Sequence, residues 1–206
     1  MAVTAQQVKD LRDATGAGPL DCKKALESTG GDFNKAVELL REKGLARAAK
    51  KLGAGRTMNE GVIETYSHFN HRLGVLVEVN CETDFVANTE QFRAFAKDVA
   101  LHVANLNPEY VKREDVPEAI VEAERQLQRR RALEEGKPEA VADKIVDGRM
   151  GKFFEEIVLL EQPFLKDDSK TIKQLLSEVV AELGESIEIR RFSRFALGEE
   201  VNNNGA

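Results

Sequence analysis

The chain has 206 residues, 42% apolar and 32% charged, with 30 Lys+Arg against 36 Asp+Glu and a net charge of −6. That is enough chain for a buried core and too apolar for a disordered polymer. The acidic balance argues against a general nucleic-acid binder, which carries a basic excess. No apolar run approaches the ~20 residues that cross a bilayer. Residues 1–6 lack the basic start and apolar stretch of an export signal. Two cysteines, Cys22 and Cys81, are no disulfide framework. A cytoplasmic protein with no membrane or nucleic-acid partner is expected.

The first 45 residues read as three short helices. Thr4 and Gln7 form a capping box, and Val3 can staple onto Val8. Gly16 and Gly18 end the first helix and let the chain turn tightly. Pro19 opens a second helix that carries Cys22, Ala25 and Leu26 inward. Thr29-Gly30-Gly31 breaks the chain again, and Asp32 caps a third helix with Phe33, Ala36, Val37 and Leu40 at helical spacing. Gly44 is expected to stop it. A unit this small suits recognition rather than catalysis. Arg41 to Arg56 then holds six basic residues against one acidic residue, Glu42. Residues 46–60 are expected to form a basic, helical linker. It is either a solvated face or a contact for an acidic protein or RNA.

From Gly61 the period changes to two, with Val62, Glu64 and Tyr66 alternating with Ile63, Thr65 and Ser67. Leu73 to Cys81 is a stronger strand, with Val75, Val77, Val79 and Cys81 on one face, and Phe69-Asn70-His71 suggests a hairpin between the two. Glu90 to Leu106 reads as a long helix whose stripe is Phe92, Phe95, Ala96, Val99, Val103 and Leu106. His102 lies beside that stripe as a packed histidine. Pro117 and Pro138 sit where first-turn prolines belong, giving a helical hairpin within 115–160, bent near Gly148–Gly151. The polar middle, Arg129-Arg130-Arg131 then Glu134-Glu135, suggests a projecting arm. Lys170–Leu183 is amphipathic, Gly184 stops it, and Ser186–Leu197 alternates as a strand. The fold class is therefore α+β, a small helical head followed by an antiparallel sheet with packed helices in a core over 61–198. The polar tail 199–206 is expected to be disordered.

Catalytic chemistry has little to build on. The chain has no Gly-rich phosphate loop, CxxC, HExxH or G-x-S-x-G. Its histidines, His68, His71 and His102, complete no metal-site signature. No enzyme activity, cofactor or metal is expected. One segment does not read as scaffold. Between the strong strand and the long helix, Asn80 to Asn88 places Phe85 and Val86 in a turn that is ordinarily polar. Either Phe85 tucks under the turn while Asn88 or Thr89 caps the helix, or it is an exposed aromatic anchor on a rigid corner.

Several blocks resemble the elongation factor Ts family. Thr15-Gly16-Ala17-Gly18 followed by Asp21-Cys22-Lys23-Lys24-Ala25-Leu26 is similar to its N-terminal module, and Val77 to Val86 to its central signature. Gly136-Lys137-Pro138 and Leu159-Leu160-Glu161-Gln162-Pro163-Phe164 match later blocks, in order along nearly the whole chain. The resemblance implies an exchange factor for the translational GTPase EF-Tu, without covalent chemistry or a cofactor of its own. It implies a ubiquitin-associated-like head docked on the GTPase domain. It also implies an Asp-Phe pair that wedges near the partner's switch region and disturbs its Mg²⁺ and phosphate site.

Those wedge roles fall on Asp84 and Phe85, with Thr83 and Val86 shaping the corner. In the head, Arg12, Gly16 and Gly18 match, while Pro19-Leu20 replaces two methionines common in the family; Leu20 still offers an apolar contact. Tyr66-x-His68 resembles a family Tyr-x-His that touches another EF-Tu domain. Short members form homodimers through the C-terminal strand. Here Ser193 stands in Arg190–Phe195 where some carry a disulfide-forming cysteine. Two other readings compete with exchange, a protein-binding adaptor and a ribosome-associated RNA-binding factor.

Overall fold

The structure, a computed structural model, describes residues 3–52 and 57–199. The head is built from α1 (Ala5–Thr15), α2 (Pro19–Ser28) and α3 (Phe33–Leu52). The capping box forms as the sequence predicts. Gln7 N–H donates to Thr4 Oγ1 at 3.2 Å, and Thr4 N–H donates to Gln7 Oε1 at 2.9 Å. Gly16 closes α1 with a left-handed φ of 66° that a side chain would strain. Asp32 accepts from Lys35 N–H at 3.1 Å, a bond that holds its carboxyl below the usual aspartate range. Leu11, Cys22, Ala25, Leu26, Ala36 and Leu40 form the head's core, whereas Phe33 stays outside it, 39% exposed.

The third helix departs from expectation. It does not stop at Gly44 but continues to Leu52. The glycine answers a packing need instead. A Cβ at Gly44 would meet the Ala181 Cβ at 3.2 Å, closer than most such contacts. The basic segment's first part, to Leu52, is thus helix α3, and its residues 53–56 lie outside the described residues.

The strands follow as β1 (Glu60–Ser67) and β2 (Leu73–Cys81), then the one-turn helix α4 (Asp84–Ala87) and α5 (Glu90–Leu106). His68 N–H donates to Leu73 O at 2.9 Å and closes the hairpin. Alternate residues of β2, Val75, Val77, Val79 and Cys81, are buried, as are Phe92, Phe95, Ala96, Val99 and Val103 of α5. Leu106, at the end of that predicted stripe, is 40% exposed. Thr89 caps α5, accepting from Phe92 N–H at 3.2 Å. Asp84 lies in the first turn of α4.

The helical hairpin is α6 (Glu118–Glu134) and α7 (Glu139–Ile157), with Pro117 and Pro138 as the residues that precede them. Gly148 and Gly151 lie inside an unbroken α7. The helix ends earlier than predicted, at Ile157, because Val158 leaves it to pair with Tyr110 in a parallel bridge. A two-stranded element that periodicity missed follows, β3 (Pro163–Phe164) with β4 (Asp167–Thr171) antiparallel. Two residues give no period to read. As a result α8 (Ile172–Leu183) starts later than Lys170. Gly184 then stops α8 with φ 73°. β5 (Ile187–Ala196) completes a three-stranded sheet of order β1-β2-β5. The tail beyond Glu199 lies outside the described residues.

The chain divides into two compact units. One comprises Met1–Val62, Asn80–Phe95 and Leu176–Glu188, and the other Ile63–Val79, Ala96–Leu175 and Ile189–Ala206. In the second unit His102 is fully buried and satisfied on both ring nitrogens. Its Nδ1 accepts from Leu165 N–H at 3.2 Å, so Nε2 carries the proton and donates to Gln162 Oε1 at 3.0 Å. Gln162 Nε2 in turn donates to Glu156 O at 2.8 Å. Burial pushes the imidazole's pKa down, against the Gln162 bond. Nearby, Arg113 lies 4.5 Å over the Phe154 ring and pairs with both carboxylate oxygens of Glu161.

Candidate functional site: a fixed aromatic corner

The strand-to-helix corner after β2 is built by backbone extension and one cap. Thr83 is extended (φ −132°, ψ 153°), and its hydroxyl oxygen accepts from Val86 N–H at 3.4 Å, which turns the chain into α4. The four residues of α4 then split by direction. Val86 and Ala87 are 8% and 6% exposed, whereas Phe85 is 82% exposed. Phe85 therefore does not tuck under the turn; its ring is exposed. Val86 is the buried root, and the Phe85 ring is displayed.

The corner is held from both sides. Thr83 O accepts from the Cys81 thiol at 3.1 Å and from Ala87 N–H at 3.2 Å. Across the chain, Glu185 takes both donors of Thr83. The backbone N–H reaches Oε2 at 3.1 Å and the hydroxyl reaches Oε1 at 2.7 Å. In return Ser186 N–H donates to Glu82 Oε1 at 2.8 Å. Segments 81–87 and 184–187 are therefore reciprocally bonded. On the far side, Asn88 Nδ2 donates to Asp84 O at 2.9 Å, and Arg93 to Asn88 Oδ1 at 2.7 Å. Burial, and then the Glu185 charge, push the Cys81 thiol up to about 11, so it stays protonated at neutral pH.

Glu82 lies inside the Val77–Val86 block without a role assigned to it, and Glu185 belongs to no motif. The available signal was an acidic residue directly after the helix-stopping Gly184, but its partner lies about a hundred positions away, beyond any periodic pattern.

The head residues named from the sequence gather at the α1–α2 turn. Arg12, Gly16, Gly18 and Leu20 are all exposed, Leu20 at 65%. Arg12 O accepts from Gly16 N–H at 2.8 Å, and Gly18 precedes Pro19 at the first position of α2. His68, in the other unit, sits at the hairpin between β1 and β2. Its Nδ1 lies 2.8 Å from Tyr66 Oη, and its ring centroid is 4.4 Å from that of Phe69, a residue 85% exposed. Among the described residues no group of His, Cys, Asp and Glu is arranged to hold a metal ion, and no helix is long and apolar enough to cross a membrane.

Comparison with known proteins agrees along nearly the full chain. Residues 3–200 match the family described as Elongation factor TS. The elongation factor Ts of Carboxydothermus hydrogenoformans is 58% identical over 197 residues, covering 96% of this chain and 90% of that protein. That of Caldanaerobacter subterraneus subsp. tengcongensis is 56% identical over 199 residues, 97% and 98% of the two chains, and that of Geobacter metallireducens 55% identical, 97% and 91%. With a whole-length family match, this identity to several relatives and the signature corner in place, the chain belongs to the elongation factor Ts family.

Proposed function

We propose that this chain drives GDP off EF-Tu by pressing the Phe85 ring into the partner's nucleotide-binding region. Nucleotide exchange on EF-Tu during translation elongation is the role of the family to which the chain belongs. The observation that carries the residue-level reading is the 82% exposure of Phe85 on a corner tied at Thr83. An aromatic ring already displayed on ordered backbone can fill a pocket without a further backbone-ordering cost.

The physics is a coupling between two ligands of one GTPase. Mg²⁺ and backbone N–H groups hold the diphosphate there. A partner that favours the geometry lacking those contacts weakens nucleotide binding, and nucleotide weakens the partner's binding by the same factor. A factor of about 100 corresponds to roughly 2.7 kcal/mol, and one buried aromatic anchor supplies on the order of 2 kcal/mol or more. Phe85 is the wedge. Asp84 places a carboxylate beside the partner's cation and phosphates, Val86 roots the corner, and Thr83 sets its direction. The head over 1–45 supplies standing affinity through Arg12, the Gly16–Gly18 turn and Leu20, and His68 with Tyr66 makes a second contact.

No bond is made or broken by this chain, so it acts as an exchange factor in the cytoplasm and not as an enzyme, and it needs neither cofactor nor nucleic acid. Two copies pair through β5, an edge strand of the sheet with Phe195 71% exposed. Ser193 leaves that pairing to hydrogen bonds and packing. The test is stopped-flow release of fluorescent GDP from EF-Tu with the parent, Asp84→Ala and Phe85→Ala proteins. Both variants are expected to slow release, Phe85→Ala more. Release at the parent rate with folded Phe85→Ala would show that the ring is not the wedge.

A further inference from the structure

We propose that Glu185 is a positioning residue for exchange: by accepting both donors of Thr83 it fixes the direction in which Phe85 points. The inference rests on the wedge reading and adds a residue to it that lies about a hundred positions from the signature block.

Three observations carry it. First, the two contacts are directional and use both carboxylate oxygens, at 3.1 Å to the Thr83 N–H and 2.7 Å to its hydroxyl. A bond to an ionised acceptor is stronger than one between neutral groups. Second, Thr83 is the cap of α4, so its χ1 and its backbone set the axis of the turn that carries Phe85. Glu185 orients the Thr83 hydroxyl proton toward itself, which leaves an oxygen lone pair for the Val86 N–H at 3.4 Å. Third, Glu185 is itself aimed. It follows Gly184, whose φ of 73° only glycine adopts without strain, and the next residue, Ser186, is bonded through its N–H to Glu82 at 2.8 Å. The carboxylate therefore stands on a turn fixed by the same corner it fixes.

A one-turn helix has no stability of its own, because its nucleation cost is not recovered within four residues. Without Glu185, α4 samples other geometries, and the apparent affinity of the corner for EF-Tu falls by the fraction of time the competent geometry is lost.

The experiment is a double-mutant cycle on full-length protein, read by GDP release from EF-Tu at sub-saturating factor. Glu185→Ala is expected to slow release roughly tenfold, the scale of losing a charge-assisted hydrogen-bond pair. In a Phe85→Ala background the same change is expected to slow it less than about twofold, because there is no ring left to aim. Glu185→Gln, which keeps one acceptor oxygen, should fall between parent and alanine. Thr83→Val, which removes the hydroxyl, should act like Glu185→Ala. A second readout needs no partner. Cys81, bonded to Thr83 O, should be labelled faster by a thiol reagent in folded Glu185→Ala, as followed by peptide mass spectrometry. Parent-rate release by Glu185→Ala and Glu185→Gln overturns the proposal. So does an equal, additive loss in the Phe85→Ala background, which would make Glu185 a direct contact with the partner. If Phe85→Ala alone exchanges at the parent rate, it is the wedge reading that fails, and Cys81 labelling then reports separately whether Glu185 holds the corner.

Discussion

Phe69 and Phe85 each display an aromatic ring to solvent, and the two are secured in opposite ways. At the β1–β2 hairpin, Phe69 is 85% exposed and its supports are local. The His68 ring packs against it tilted at 49°, with centroids 4.4 Å apart, Tyr66 Oη meets His68 at 2.8 Å, and the turn closes through His68 N–H to Leu73 O. At the α4 corner, Phe85 is 82% exposed, and its key support comes from Glu185, far along the chain. A locally secured ring keeps its place while its own strand pair survives. A ring secured over such a distance is aimed only when the whole unit is folded.

The largest effect that can break this comparison is functional. Phe85→Ala should slow GDP release about 30-fold or more, the consequence of losing an anchor worth about 2 kcal/mol, whereas Phe69→Ala should stay within about threefold, as a rim contact would. Equal losses in stopped-flow traces would mean that the two rings do the same work. Next comes the cost of long-range ties to stability, which His102 tests inside the second unit. His102→Phe leaves Gln162 Oε1 and Leu165 N–H without their partner and should cost about 2 kcal/mol or more in urea denaturation. A third prediction uses pH. The buried, neutral His102 has a lowered pKa, so the unfolded chain takes up the proton first. Its contribution is complete above the unfolded imidazole value of about 6.5 and is lost as pH falls below that. The melting temperature should therefore drop more between pH 7 and pH 5 in the parent than in His102→Phe. The smallest effect is local. Tyr66→Phe removes one hydrogen bond to His68 and should cost no more than about 1 kcal/mol by denaturation.

The same division explains what the sequence made legible. Capping at Thr4, the turn at Gly16 and Gly18, the β2 strand, the span of α5 and the stop at Gly184 are written in neighbouring residues, and all are found. At Gly44 the local meaning of the residue, a helix stop, gives way to a tertiary one, the approach of Ala181. The two residues of β3 carry no period at all. The candidate site divides likewise. Phe85 could be named from the sequence, but its exposure could not be decided from composition, because Phe85 and Val86 are adjacent apolar residues and which of them turns inward depends on the geometry of the turn at Thr83. Glu185 was invisible for the reason that makes it effective. Its significance lies wholly in a partner about a hundred positions away.

The short helix at the corner has a further consequence. Because the fold itself supplies the order in those four residues, docking need not be preceded by a folding event, and encounter can proceed at the pace set by diffusion and orientation. A factor that must leave each GTPase once GTP has loaded is then free to cycle, since little structure has to dissolve when it departs.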